Sequence, residues 1–159
     1  MAIYLLPAKT VPRTAAAGLC HIPSAPLTAN GRSSKVTRKT PSEVEAAICE
    51  RITCFKQEHM GREPKDIHVH LIGDLVVVRL ERTLTAAEQQ LAKSASAANG
   101  SNPLKQMRSH LIELSRPYLE AMVQEITGVK LLSLHYDIST VTGEEVLLFT
   151  LAGALSRFD

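Results

Sequence analysis

The sequence predicts an α+β fold, a two-layer sandwich in which a four-stranded, mainly antiparallel sheet is backed by two main helices. Three observations predict it: an apolar helical stripe behind a capping box, two regions of alternating apolar and polar residues, and a recurring order of helix, strand, turn and strand. A chain of 159 residues, 45% of them hydrophobic, is long enough to bury one core. We therefore expect a single α+β domain over residues 41–159.

The first helix is predicted over "PSEVEAAICERITCFKQEHM", which follows Thr40. Thr40 suits the N-cap and Glu43 the third helical position, which together form a capping box. Apolar residues recur at helical spacing at Val44, Ile48, Ile52 and Phe55. Gly61 is placed to end the helix, because glycine adopts the left-handed conformation at this position most readily.

A hairpin is predicted in "IHVHLIGDLVVVRL", residues 67–80. Gly73 and Asp74 suit a two-residue type II′ turn with glycine first. Ile67, Val69 and Leu71 alternate with His68 and His70, so we expect the aliphatic side chains to face the helices and the histidines to face away.

A short helix, a linker and a longer helix follow the hairpin. Thr85 and Glu88 form a second capping box, and "ASAANGSN" is typical of a flexible linker. Over residues 102–127 the predicted apolar stripe is Leu104, Met107, Leu111, Leu114, Tyr118, Met122 and Ile126. Pro117 predicts a kink or a break about one turn before it. "VKLLSLHYDIS" and "GEEVLLFTLAG" then predict two more strands.

The two halves of the body match at an offset of 65 residues. Lys65 aligns with Lys130, and His70 aligns with His135. This correspondence suggests an internal α-β-β duplication, in which two units bury the sheet face that one unit would leave uncovered. By the same logic Leu132, Leu134 and Tyr136 would face the helices.

The opposite face of the sheet is the candidate interface. Its predicted residues are His68, His70, Arg79, Ser133, His135 and Asp137. Four interpretations stay open: an ordinary solvated surface, a homodimer contact, a pH-responsive interface, or a metal site in which His135 and Asp137 on a neighbouring strand join the two histidines of the hairpin.

Charge divides the chain unevenly. Residues 1–40 contain six basic and no acidic residues, which leaves 12 basic against 16 acidic residues over 41–159. We expect a disordered or loosely docked basic tail over 1–40, with an organelle-targeting segment as the alternative. The body charge does not favour nucleic-acid binding, and the sequence lacks the ~18-residue apolar run of a membrane span.

Catalytic motifs are absent from the sequence. There is no nucleophile elbow, P-loop, dinucleotide fingerprint or HExxH. Glu144 and Glu145 lie at a strand start, where paired carboxylates are usually solvated. We therefore expect no enzyme activity, no catalytic residues, no resident metal and no cofactor.

Several stretches resemble a known family. They are "GREPKDIHVHLIGDLVVVRLERTLTAAEQQLA", "LIELSRPYLEAMVQEITGVKLLSLHYDIST" and "TGEEVLLFTL". Over about residues 41–151 the chain resembles the MpsC-like family, small bacterial proteins of unknown function named for a component of a sodium-translocating, membrane-potential-generating system. The basic tail and the Ala/Ser/Asn/Gly linker at 94–102 depart from the family pattern.

The resemblance implies a soluble accessory protein, cytoplasmic or peripheral to the membrane, whose partners are subunits of a membrane ion or inorganic-carbon transporter. It implies no established active site. The lack of a long apolar run leads us to expect no direct membrane insertion. The alternative function is a small-ligand or metal-binding sensor that uses the polar face of the sheet.

Overall fold

The structure is a computed structural model that describes residues 39–61, 64–95 and 102–155. Its elements, in chain order, are helix α1 (Pro41–Met60), strands β1 (Asp66–Ile72) and β2 (Leu75–Glu81), helices α2 (Ala86–Ala95), α3 (Pro103–Leu114) and α4 (Arg116–Thr127), and strands β3 (Leu131–Ile138) and β4 (Glu145–Leu151). The predicted tail and most of the predicted linker lie outside the described residues, so both stay predictions.

The four strands form one open, antiparallel sheet in the order β1-β2-β4-β3. The predicted α+β class is thereby confirmed. Two hairpins lie side by side, with β2 and β4 in the centre and β1 and β3 at the edges. The shared origin of the two halves stays a prediction.

Local sequence signals account for the ends of the elements. Thr40 and Glu43 exchange the two hydrogen bonds of a capping box, and Gly61 ends α1 with φ of 65°. Thr85 and Glu88 form the second capping box in front of α2. In the first hairpin, Gly73 has a φ of 63° and the φ of Asp74 is not positive. A type II′ turn requires this combination at its two central residues.

The long helix is interrupted at Ser115, which confirms a break before Pro117, although it lies two residues before the proline and not a full turn. In α3 the predicted stripe is correct at Leu104, which is buried, and wrong beyond it: Met107 and Leu114 are exposed and Ile112 is buried. The buried positions of α3 are Leu104, Arg108 and Ile112, and the apolar stripe departed from this phase because Arg108 is charged.

The core lies between the sheet and the helices α1, α3 and α4. Its largest fully buried side chains include Phe55, Ile52, Leu119 and Phe149. A smaller cluster of Leu84, Ala92, Leu104 and Ile138 attaches α2 to α3 and β3. Aliphatic side chains supply most of both clusters, as expected for a chain without tryptophan.

One predicted core residue points the wrong way. Leu132 is 64% exposed, whereas Leu131 and Leu134 are buried. The β3–β4 pairing shifts between Leu131 and Ser133, which marks an irregularity of the β-bulge kind. Such an extra residue breaks the simple alternation of side chains, so strict counting from Leu134 assigns Leu132 to the wrong face.

Candidate functional site: the outer face of the sheet

We call the sheet surface that points away from the helices the outer face. Along β2 and β4, the buried residues alternate with half-buried or exposed ones, and the latter form this face. All six residues of the predicted interface lie on it: His68, His70, Arg79, Ser133, His135 and Asp137. The strand alternation seen in the sequence therefore assigned the face correctly.

The strand register arranges the outer face in rows. One row runs across all four strands as His70, Val77, Leu148 and His135. The next row runs as His68, Arg79, Val146 and Asp137. The central strands thus contribute mainly aliphatic side chains, and the edge strands contribute imidazoles and a carboxylate.

This order corrects the metal hypothesis, which required β1 and β3 to be neighbours. His70 and His135 are three strand intervals apart, about 14 Å at the usual strand spacing. A zinc ion binds its histidine nitrogens at about 2.0–2.1 Å, so the two edges cannot share one ion. Among the described residues, no group of three or more His, Cys, Asp or Glu side chains is placed to hold a metal ion.

Ion pairs hold the polar groups at the rim of the outer face. Arg79 contacts Glu144 at 2.9 Å and Glu81 at 3.2 Å, and the hydrogen bond from Arg79 lowers the pKa of Glu144. At the other edge, the Lys105 ammonium lies 2.7 Å from Asp137 and lowers the pKa of that carboxyl. Both pairs are partly exposed, so each stabilises the fold only weakly.

On the opposite side of the sheet lies a second group of polar residues, which the sequence patterns did not predict. We call it the buried charge cluster; it consists of Lys56, Glu88, Arg108, Tyr136 and Glu145. Lys56 and Arg108 both donate hydrogen bonds to Glu145, which has no solvent exposure. Arg108 also binds Glu88 at 2.7 Å and the Thr83 carbonyl at 3.3 Å.

The expectation that Glu145 is solvated is therefore wrong. In β4, Glu145 occupies the inward phase shared with Leu147, Phe149 and Leu151. Because the strand alternates, its neighbour Glu144 points to the outer face instead. One of the two adjacent carboxylates is buried and the other is not.

Burial dominates the electrostatics of the cluster. It lowers the pKa of Lys56, and the Glu145 carboxylate opposes that effect. Burial also raises the pKa of Tyr136, and the nearby Glu145 charge raises it further. Two cations and two carboxylates balance, which is the arrangement that makes buried charges tolerable.

The cluster has a sequence signal. Lys56 continues the four-residue spacing of Ile48 and Ile52, and Arg108 lies midway between the buried Leu104 and Ile112. A charged residue in the inward phase of an apolar stripe must find a partner, because an isolated buried charge is costly.

Comparison with known proteins places these features in a family. A sequence model described as "Na+-translocating membrane potential-generating system (MpsC)" matches residues 40–153. The chain belongs to this MpsC family. It is also 32% identical to the uncharacterised protein YbcI of Bacillus subtilis (strain 168) over 120 residues, 76% of this chain and 94% of YbcI. No solved structure matches the chain significantly.

The family name refers to a membrane system, which raises the question of whether a helix of this MpsC-family protein could span a membrane. Within the described ranges, none of them combines the length and the apolar character needed to cross a bilayer.

Proposed function

We propose that this MpsC-family protein is a non-enzymatic accessory subunit that docks on a membrane ion transporter through the outer face of its sheet. The observation that carries the proposal is the aliphatic centre of that face. Val77 and Leu148 lie side by side on the two central strands, and the described helices pack on the other side.

Such a face suits a protein partner. An interface typically has an apolar centre and a polar rim, and here histidines and ion pairs surround the aliphatic pair. The name of the matching family, which refers to a membrane-potential-generating system, supports a partner in the membrane. Docking would hold the protein at the cytoplasmic side of that partner.

The sensor alternative receives less support. A metal-binding sensor on the outer face would need ligands that converge, and the histidines of β1 and β3 lie at opposite edges of the sheet. A homodimer formed through the same face remains the competing occupant, and the test below separates it from docking.

The test is a pull-down of the tagged protein from gently solubilised membranes of the cells that make it. Leu148→Glu places a charge in the centre of the face, and Leu114→Glu is the matched control because Leu114 is 66% exposed on the helix layer. We expect wild type and Leu114→Glu to retain a multi-spanning transporter subunit identified by mass spectrometry, and Leu148→Glu to lose it.

A His70→Ala/His135→Ala double variant tests the edges of the same face, and should retain less of the transporter subunit than wild type. Equal retention by all variants would exclude docking through the outer face. Absence of any transporter subunit with wild type would overturn the accessory function. Light scattering that gives twice the monomer mass, lost only in Leu148→Glu, would instead support the homodimer.

A further inference from the structure

A cleft of about 550 Å³ lies apart from the outer face. One wall is the segment from Arg82 along α2 to Lys93, and the other is the turn 140–143 between β3 and β4. Its volume falls in the range of about 300–1,000 Å³ that is typical of small-molecule sites.

The two walls are fastened to each other. The backbone N–H and the hydroxyl of Thr83 both donate hydrogen bonds to the Gly143 carbonyl, each at 3.0 Å. A Cβ atom at Gly143 would lie 3.3 Å from Leu84 Cγ, so the turn packs closely on the opposite wall. The cleft is therefore formed before any ligand arrives.

Among the described residues, the charged side chains that line the cleft are all cationic: Lys65, Arg82 and Lys93. Within the described ranges none of the three forms an ion pair, whereas Arg79, Arg108 and Arg116 each bind a carboxylate. Glu88 on the same helix is already bound by Arg108. The described part of the chain thus pairs none of these three cations with a carboxylate.

Arg82 adds a conformational observation. Its φ is 55°, and it is the single non-glycine residue with a positive φ in the described part of the chain. Glycine or asparagine would adopt this conformation with less strain. A strained residue whose side chain lines a cavity suggests that the side chain itself has a role there.

The uncharged residues that line the cleft indicate which chemical class of ligand it can bind. Leu84, Ala92 and Val141 supply apolar surface, and no aromatic residue contributes to the described walls. A nucleotide base would lack the aromatic stacking partner that such ligands commonly use. An aliphatic chain would fit the apolar part, while a phosphate or carboxylate would neutralise the cations.

We propose that this cleft binds an anion that carries an aliphatic chain, such as an alkyl phosphate. A free amphiphile and an anionic phospholipid share this chemistry. Val141, 93% exposed at the rim, is placed to contact the chain in either case. The proposal is independent of docking through the outer face.

Isothermal titration calorimetry with octyl phosphate, kept below its aggregation concentration, tests the cleft. We expect saturable binding to wild type that weakens at least tenfold in Lys93→Gln and in Arg82→Gly, because each removes a charge-assisted contact. Arg82→Gly should fold as stably as wild type, since glycine adopts the required φ without strain. Lys130→Gln is the control, because Lys130 is an exposed cation outside the cleft.

Vesicles containing phosphatidylglycerol distinguish the two sources. Co-sedimentation that is lost in the same cleft variants identifies a membrane lipid, whereas octyl phosphate binding without co-sedimentation identifies a free amphiphile. No binding of either probe, or an equal loss of binding in Lys130→Gln, would overturn the proposal.

Discussion

At the residue scale, two adjacent glutamates have opposite environments. Glu145 accepts hydrogen bonds from Lys56, Arg108 and Tyr136 in the core, whereas Glu144 binds Arg79 in a partly exposed pair. The chemistry of the two side chains is identical, so any difference in their energetic contribution comes from the surroundings alone.

We predict that Glu145→Gln lowers the free energy of unfolding by about 3–5 kcal/mol, because it leaves two buried cations without their shared carboxylate. Glu144→Gln should cost much less than Glu145→Gln, since its pair is screened by solvent. Urea unfolding followed by circular dichroism measures both. Equal losses in the two variants would contradict the assigned burial.

A second prediction concerns pH. Partial burial raises the pKa of Glu88, but hydrogen bonds from Thr85 and Arg108 outweigh it and place the pKa below the usual 4.5. The charged carboxylate therefore stabilises the fold above about pH 4.5, and this contribution is lost as the pH falls through the folded-state pKa. Glu88→Gln should thus destabilise the protein more at pH 7 than at pH 3. Unfolding free energies of both proteins at the two pH values measure this; an equal difference would disprove the linkage.

At the element scale, the β3–β4 turn depends on Gly143. Its φ is 71°, like that of Gly128 at the end of α4, but only Gly143 has a neighbouring side chain close to the position of a Cβ. The comparison separates two costs of adding a methyl group: the left-handed backbone, which both positions share, and the contact with Leu84.

We predict that Gly128→Ala costs about 1 kcal/mol through the backbone term alone. Gly143→Ala should cost more, because Leu84 must move to accept the new methyl group. Thermal and urea unfolding of the two variants give the comparison. If Gly143→Ala were the milder change, the close packing of the turn on Leu84 would be excluded.

At the scale of the whole molecule, the sheet separates a core from a docking face, and adjacent residues of one strand lie on opposite sides. Leu147 is fully buried, whereas Leu148 lies half-buried on the outer face. We predict that Leu147→Glu prevents folding, because it buries a charge without a partner. Leu148→Glu should leave the circular dichroism spectrum unchanged; its unfolding would show that this face is also core.

How well the sequence predicted a feature depends on how far apart in the chain its interacting residues lie. The capping boxes at Thr40 and Thr85, the hairpin turn at Gly73 and the break before Pro117 follow from neighbouring residues. The outward position of the six interface residues also followed, because strand alternation is a local rule. Local geometry is encoded by local chemistry, and these predictions were confirmed.

The tertiary structure alone determined which strands and side chains are neighbours in space. The order β1-β2-β4-β3 moved the histidines to opposite edges, and the bulge beside Leu131 turned Leu132 outward. The burial of Glu145 required Lys56 and Arg108 to arrive from two different helices, 89 and 37 residues away along the chain. Such pairings depend on strand order and helix packing, which join residues far apart in the chain, and no local pattern specifies them. The sequence by itself therefore determined the elements and the faces of most of their residues. The tertiary structure determined which residues form the sites.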